Sequence, residues 1–188
     1  MLESLRPFLT RILNPIAEKI NINPNIVTLV SPFIALLSAI AYGEKIILLG
    51  ATFILLSGFL DVVDGAVARF HGRTSKFGAF LDSTIDRIAD GIIYIGIIFG
   101  GYCDWFIGIL AIHSALTISY VKARAESQGV ECNVGIAERA VRLIILMIGS
   151  VVGYLTAPIY FTYIIIFLVI ISYITVVQRV YHVWRQLK

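Results

Sequence analysis

Charge is scarce in this chain. Of 188 residues, only 14% are Asp, Glu, Lys or Arg against 59% hydrophobic, and the mean hydropathy is +0.90. A soluble domain needs a polar exterior that this composition cannot supply, and no stretch is left over for a separate one, so the reading is one membrane domain over 1–188. The net charge of +3 is too small to suggest a nucleic-acid partner. Only two cysteines occur, Cys103 and Cys132. They fall at opposite faces of the expected membrane domain, which excludes their pairing, and no cysteine pattern of a metal site is present. No internal repeat is evident, which argues against an inverted-repeat transporter.

Long apolar runs are what the chain has in abundance. They predict an all-α integral membrane fold with six transmembrane helices over about 26–42, 46–70, 77–99, 105–126, 136–155 and 158–178. Residues 1–20 place Leu2, Leu5, Phe8, Leu9, Ile12, Leu13, Ile16 and Ile20 at helical spacing between charges, the pattern of an N-terminal interfacial amphipathic helix and not of a signal peptide. Residues 179–188 read as a tail. Thirteen of the 15 Lys and Arg residues fall on the side of the two termini, Lys45 opposite them and Arg87 within a span. That asymmetry puts both termini on the cytoplasmic side of a multi-pass protein of the cell membrane. Tyr94, Tyr102, Trp105, Tyr154 and Tyr160 lie near expected boundaries and read as interfacial anchors, while His113, alone in an apolar run, reads as a packing residue.

Within this apolar setting, Asp61 to Asp86 reads DVVDGAVARFHGRTSKFGAFLDSTID. A polar connector, 71–76, separates two apolar flanks, so a helical hairpin is expected. Asp61, Asp64, Gly65 and Ala68 fall at i, i+3, i+4 and i+7 on one helix; Gly78, Asp82 and Asp86 fall at i, i+4 and i+8 on the other. At about 1.5 Å per residue, Asp64 and Asp82 lie roughly 8–9 Å beyond the connector and Asp61 and Asp86 roughly 12–15 Å. The four carboxylates therefore sit at matched depths, with small residues beside them. Four anions at apolar depth need a cation, and an all-oxygen set favours Mg²⁺ or Mn²⁺ over Zn²⁺.

A second polar cluster runs from Lys122 to Glu131 and from Asn133 to Arg142. It could be an ordinary cytoplasmic loop. Yet Arg142 falls inside an expected span, where a cation needs a partner, and Arg124, Arg139 and Arg142 together would make a bidentate phosphate receptor beside the acids. Asp90 continues the Asp82/Asp86 face and could pair with Arg87 or support a metal.

Asp61, Asp64, Gly65, Ala68, Arg69, Gly78, Asp82 and Asp86 match without a gap the signature of the CDP-alcohol phosphotransferases, integral-membrane enzymes of phospholipid synthesis, which the chain resembles. Lys122-Ala-Arg-Ala-Glu126, Glu138-Arg-Ala-Val-Arg142 and Leu81-Asp-Ser-Thr-Ile-Asp-Arg87 resemble the inositol-phosphate-using subgroup, the phosphatidylinositol-phosphate and archaetidylinositol-phosphate synthases. Lys122 stands where many relatives carry Arg, which keeps charge and loses bidentate geometry.

The resemblance implies a magnesium-dependent homodimer with one or two ions, held by Asp61, Asp64 and Asp82 with Asp86 as a further ligand and also the general base. It implies that Pro24, Asn25, Thr28, Asp61, Gly65, Ala68, Arg69, Ser75 and Gly78 receive the CDP-lipid, and that Arg73, Arg124, Arg139 and Arg142 receive the acceptor phosphate. The expected reaction moves a phosphatidyl-type group, on diacylglycerol or archaeol, to inositol 1-phosphate with release of CMP. Glycerol 3-phosphate needs the same phosphate receptor and is the nearest alternative. An intramembrane-Asp cation carrier is the alternative of another class, though it predicts acids at the midplane rather than toward one face.

Overall fold

The structure, a computed structural model, describes residues 24–188 together with Pro15 and Glu18. The interfacial helix expected over 1–20 thus lies, but for those two residues, outside the described residues. Among the described residues there are six helices and no strand: α1 (Pro24–Gly43), α2 (Ile47–Phe70), α3 (Lys76–Phe99), α4 (Trp105–Glu126), α5 (Arg139–Leu155) and α6 (Pro158–Leu187). Four of them, α1, α2, α4 and α6, are long and apolar enough to cross a membrane. Of the other two, α3 carries five charged residues and α5 has only 17 residues. The fold is that of an all-α membrane protein, whose exposed large side chains include Phe33, Phe99 and Leu155.

Local chemistry explains most element ends. Ser75, extended at φ −141° and ψ 155°, accepts the Gly78 N–H at 2.9 Å and starts α3; Asp104 accepts the Phe106 N–H at 2.8 Å and starts α4. Pro158 opens α6, where a missing N–H costs nothing. Two boundaries differ from expectation. The fifth helix begins at Arg139 instead of 136, because the amides of Ile136 and Ala137 are bonded to Thr175 Oγ1 of α6. The last helix runs on to Leu187, so most of the expected tail is helical; no Gly or Pro interrupts it after Gln178.

In lipid, helices associate through close approach and hydrogen bonds rather than through hydrophobic exclusion of water. That is how α1 seats between α2 and α3. Ser31 and Ser57 share a 3.0 Å hydroxyl contact, Ser38 donates to Gly50 O at 2.8 Å, and a Cβ on Gly96 of α3 would run into the backbone of Ala39. At the end remote from the carboxylates, Tyr42 stacks on Phe161 and Tyr102 meets both edge-on, with centroids 5.5–6.0 Å apart, and Tyr42 OH meets Ser150 Oγ at 2.7 Å. Tyr94 and Tyr102 are accordingly buried core residues, contrary to their reading as anchors; Trp105, Tyr154 and Tyr160 are exposed. His113 Nδ1 lies 2.8 Å from Tyr173 OH, joining α4 to α6.

The α1–α3 contact yields a test. Gly96→Val should cost roughly 2–3 kcal/mol by overpacking, seen as a lower melting midpoint in detergent. Gly91→Ala, five residues away with nothing within 4 Å of a new Cβ, should leave that midpoint unchanged or raised, because Ala is the better helix former.

Candidate active site

The α2–α3 hairpin brings its acids together as their spacing requires. Ligand atoms from Asp61, Asp64 and Asp82 all lie within 4.8 Å of one another. Asp64 is buried and accepts the Thr28 hydroxyl of α1 at 2.8 Å. Asp82 Oδ1 is buried with no hydrogen-bond partner. A buried carboxylate oxygen without a donor is expensive unless a cation completes it. Three carboxylates with a buried, unbonded oxygen among them fit a divalent ion of the Mg²⁺ or Mn²⁺ kind.

Asp86 stands apart from that triad. Its Oδ1 is 2.9 Å from Arg139 Nη1, and its Oδ2 is 3.8 Å from Arg87 Nη1. The same Arg139 nitrogen reaches Asp61 Oδ2 at 3.2 Å, while Arg139 Nε bonds Asp90 Oδ1 at 3.2 Å. Asp90 is completed by Arg142, whose Nη2 donates to Oδ2 at 2.7 Å and whose Nη1 donates to Ala137 O at 3.0 Å. Asp90 therefore holds the two arginines of α5 and not Arg87, and through Arg139 it is linked to Asp61 and Asp86. Arg139 Nη2 is buried and unpaired. The cluster thus keeps one unused acceptor on Asp82 and one unused donor on Arg139.

Two clefts open on either side of these groups. One, of about 160 Å³, is lined by Pro24, Asn25, Thr28, Asp64, Gly65, Ala68, Arg69, Arg73, Thr74, Gly78, Ala79 and Asp82. It gathers most of the residues expected to hold a nucleotide. The small residues leave it open: Cβ atoms added at Gly65 and Gly78 would lie 3.1 Å from Arg69 Nη1 and 3.3 Å from Asn25 Oδ1 respectively. Ser75 acts here as the α3 cap rather than as a lining residue.

The other cleft, of about 300 Å³, is lined by Asp86, Arg87, Asp90, Ile118, Ser119, Lys122, Asn133, Glu138, Arg139, Arg142 and Arg179. Of the four arginines expected to receive a phosphate, Arg139 and Arg142 are here. Arg73 lies in the first cleft, and Arg124 is outside both, near Ser127 Oγ at 3.4 Å. Lys122 and Arg179 were not among the expected site residues. Arg179 is buried, donating to Ile118 O at 2.7 Å and Val134 O at 2.9 Å. The signal that could have found it is its place directly after an apolar run, where a cation near the membrane has to find a partner.

A model of the CDP-alcohol phosphatidyltransferase family matches residues 21–184. The archaetidylinositol phosphate synthase of Methanothermobacter thermautotrophicus is 47% identical over 188 residues, covering 100% of this chain and 96% of that protein. The crystal structure of Mycobacterium tuberculosis phosphatidylinositol phosphate synthase with CDP-DAG bound superimposes with a TM-score of 0.83 at 31% identity, over 93% of this chain and 94% of that one. The same enzyme in complex with manganese and citrate gives a TM-score of 0.81 at 30% identity, over 92% and 88%. With a helical hairpin of four clustered acids beside two polar clefts, and with these likenesses across nearly its whole length, the chain belongs to the CDP-alcohol phosphatidyltransferase family and is an enzyme of that kind.

Proposed function

We propose that this enzyme transfers a phosphatidyl-type group from a CDP-lipid to a hydroxyl of inositol 1-phosphate, releasing CMP. The observation that carries the proposal is the pair of clefts sharing one carboxylate cluster: small residues and Arg69 line the first, and Lys122, Arg139, Arg142 and Arg179 line the second with Asp86 among them. The names of the relatives support the same substrates. Phosphoryl transfer needs attacking and leaving oxygens on opposite sides of phosphorus, and two clefts flanking one acidic centre suit that requirement.

In this reading the first cleft holds the cytidine diphosphate. Gly65, Ala68 and Gly78 let it approach the helices, Arg69 and Arg73 face its phosphates, and Pro24, Asn25 and Thr28 close it from α1. Ser75 contributes by fixing the α3 start. Asp61, Asp64 and Asp82 hold the divalent ion, with Asp86 a further ligand where a second ion binds. When bound there, Mg²⁺ supplies neutralisation of the charge that builds on the pyrophosphate as CMP leaves. Asp86, turned to the second cleft and charge-compensated by Arg139, is the general base. The acceptor oxygen bonds to the phosphorus that carries the lipid alcohol, the link from that phosphorus to the bridging oxygen of CMP breaks, and the hydroxyl proton passes to Asp86. Arg139, Arg142, Arg179 and Lys122 hold the acceptor phosphate, with Arg124 on the approach.

The topology extends the proposal. Six spans, including the charged α3 and α5, in a homodimer of the cell membrane would leave lipid tails in the bilayer. The excess of Lys and Arg on the side of the termini supports a cytoplasmic active site, where nucleotide and inositol phosphate arrive.

Three outcomes follow. Purified protein with CDP-diacylglycerol or CDP-archaeol and Mg²⁺ should release CMP with inositol 1-phosphate, less with glycerol 3-phosphate, none with serine, and none after chelation; no CMP with any acceptor removes the proposal. Asp86→Asn should lower turnover by about 10²–10⁴-fold, the usual worth of a general base, with CDP-lipid still bound in an equilibrium assay. Lys122→Met should raise the acceptor KM about tenfold, the loss of one charged hydrogen bond, and leave the CDP-lipid KM unchanged; a shift in both would place Lys122 elsewhere.

A further inference from the structure

Arg139 and Arg142 of the second cleft stand on α5, but a contact that fixes them lies in α6. Arg142 donates to Ala137 O at 3.0 Å. The Ala137 N–H in turn donates to Thr175 Oγ1 at 2.9 Å, and the Ile136 N–H to the same oxygen at 3.2 Å. Thr175 is fully buried, and its own hydroxyl proton goes to Ile171 O at 2.9 Å. A helical threonine ordinarily spends its hydroxyl on the preceding turn of its own helix. This one does that and also receives two amides from a loop 38 and 39 residues away in sequence.

Two further observations concern the same contact. Glu138, the N-cap of α5, makes no side-chain cap bond, so the start of α5 is anchored from α6 and not by its own cap. Gly135 takes φ +121°, and a Cβ there would run into Thr175 Cγ2. The loop is therefore seated directly on this one side chain.

We propose that Thr175 is a positioning residue for recognition of the acceptor phosphate. It acts through Ala137, Arg142 and Asp90 on Arg139, and it lines neither cleft. Replacing its oxygen by a methyl group leaves two loop amides without an acceptor, and the loop lifts. The base of Arg142 then shifts, Asp90 loses its fixed partner, and both guanidiniums drift from the geometry a phosphate needs. The CDP-lipid cleft, lined by α1, α2, α3 and the connector between α2 and α3, meets Arg139 only through Asp61, so the acceptor side is affected first. The inference rests on the second cleft being the acceptor site.

The test is CMP release by the full-length protein in detergent as each substrate is varied, with whichever of inositol 1-phosphate and glycerol 3-phosphate the wild type uses better. Thr175→Val keeps the shape and removes the acceptor oxygen; Thr175→Ser keeps the oxygen. The valine variant should raise the acceptor KM by about tenfold or more while the CDP-lipid KM stays within about twofold, and serine should restore most of the loss. An unchanged acceptor KM, a parallel rise in both KM values, or a loss that serine fails to restore overturns the role of Thr175 while leaving the acceptor cleft standing. If the valine variant does not accumulate, Gly135→Ala, which pushes the loop off Thr175 without a substitution in α6, is judged by the two KM criteria alone: a rise in the acceptor KM with the CDP-lipid KM unchanged supports the role, and any other outcome overturns it. A wild type that uses neither phosphorylated alcohol overturns the acceptor-cleft reading and this inference together.

Discussion

Everything in this molecule is arranged around charges that cannot be left alone in an apolar medium. Five acids of α2 and α3 lie close together, and the guanidiniums of Arg139 and Arg142 are driven between them at 2.7–3.2 Å. Coulomb attraction at such distances is strong where the dielectric is low, but desolvation of each partner nearly cancels it. The net gain is small. The cost of removing one partner is not, and is about 3–5 kcal/mol for a fully buried pair. The cluster is therefore less a source of stability than a constraint on position: α2, α3 and α5 have to meet where their charges meet. The apolar core supplies the packing that permits it.

That constraint explains which parts of the structure were legible in the sequence. Asp61, Asp64 and Asp82 share helix faces, and helical periodicity is a local rule, so their convergence across a short hairpin can be derived by counting. The same counting gathers Gly65, Ala68, Arg69 and Gly78 into the first cleft. The partners of Asp90 could not be counted, because Arg142 is 52 residues away and comes from another helix. Arg179 and Thr175 were missed for the same reason. Both sit beyond or within a run that reads as plain membrane span, and their meaning comes from a loop some 40 residues earlier. Residue type did carry a hint, since a cation or a hydroxyl inside an apolar helix must bond to something. What it could not say was to what.

The same logic accounts for the difference between six spans expected from the sequence and four helices apolar enough by composition to cross a membrane. On α3, Asp82, Asp86, Arg87 and Asp90 put four charges within nine residues, whereas α5, with only two arginines, is short at 17 residues. A measure of composition counts these charges whichever way they face. In the fold Asp90 and Arg142 face inward and are buried, while Phe80, Ile88, Ile95, Ile144 and Ile148 of the same two helices are exposed. The charged stripes of the two helices thus face one another inside the protein, joined by Arg139 to Asp86 and by Arg142 to Asp90.

The unpaired atoms at the centre complete the argument for a transferase rather than a static ion network. A cluster whose purpose was only to be stable would satisfy every donor and acceptor. This one leaves Asp82 Oδ1 without a donor and Arg139 Nη2 without an acceptor, both buried. Asp82 lines the cleft bounded by Gly65, Gly78 and Arg69; Arg139 lines the cleft bounded by Lys122, Arg142 and Arg179. Asp82 Oδ1 is an atom of the kind a cation would complete, and Arg139 Nη2 of the kind an anion would complete. Because Asp61 contacts Arg139 while sharing a cation-sized space with Asp64 and Asp82, the two vacant valences belong to one electrostatic unit. Oppositely charged groups left incomplete on the two sides of one acidic centre are preorganised for a reaction in which charge moves, as transfer chemistry in this family does.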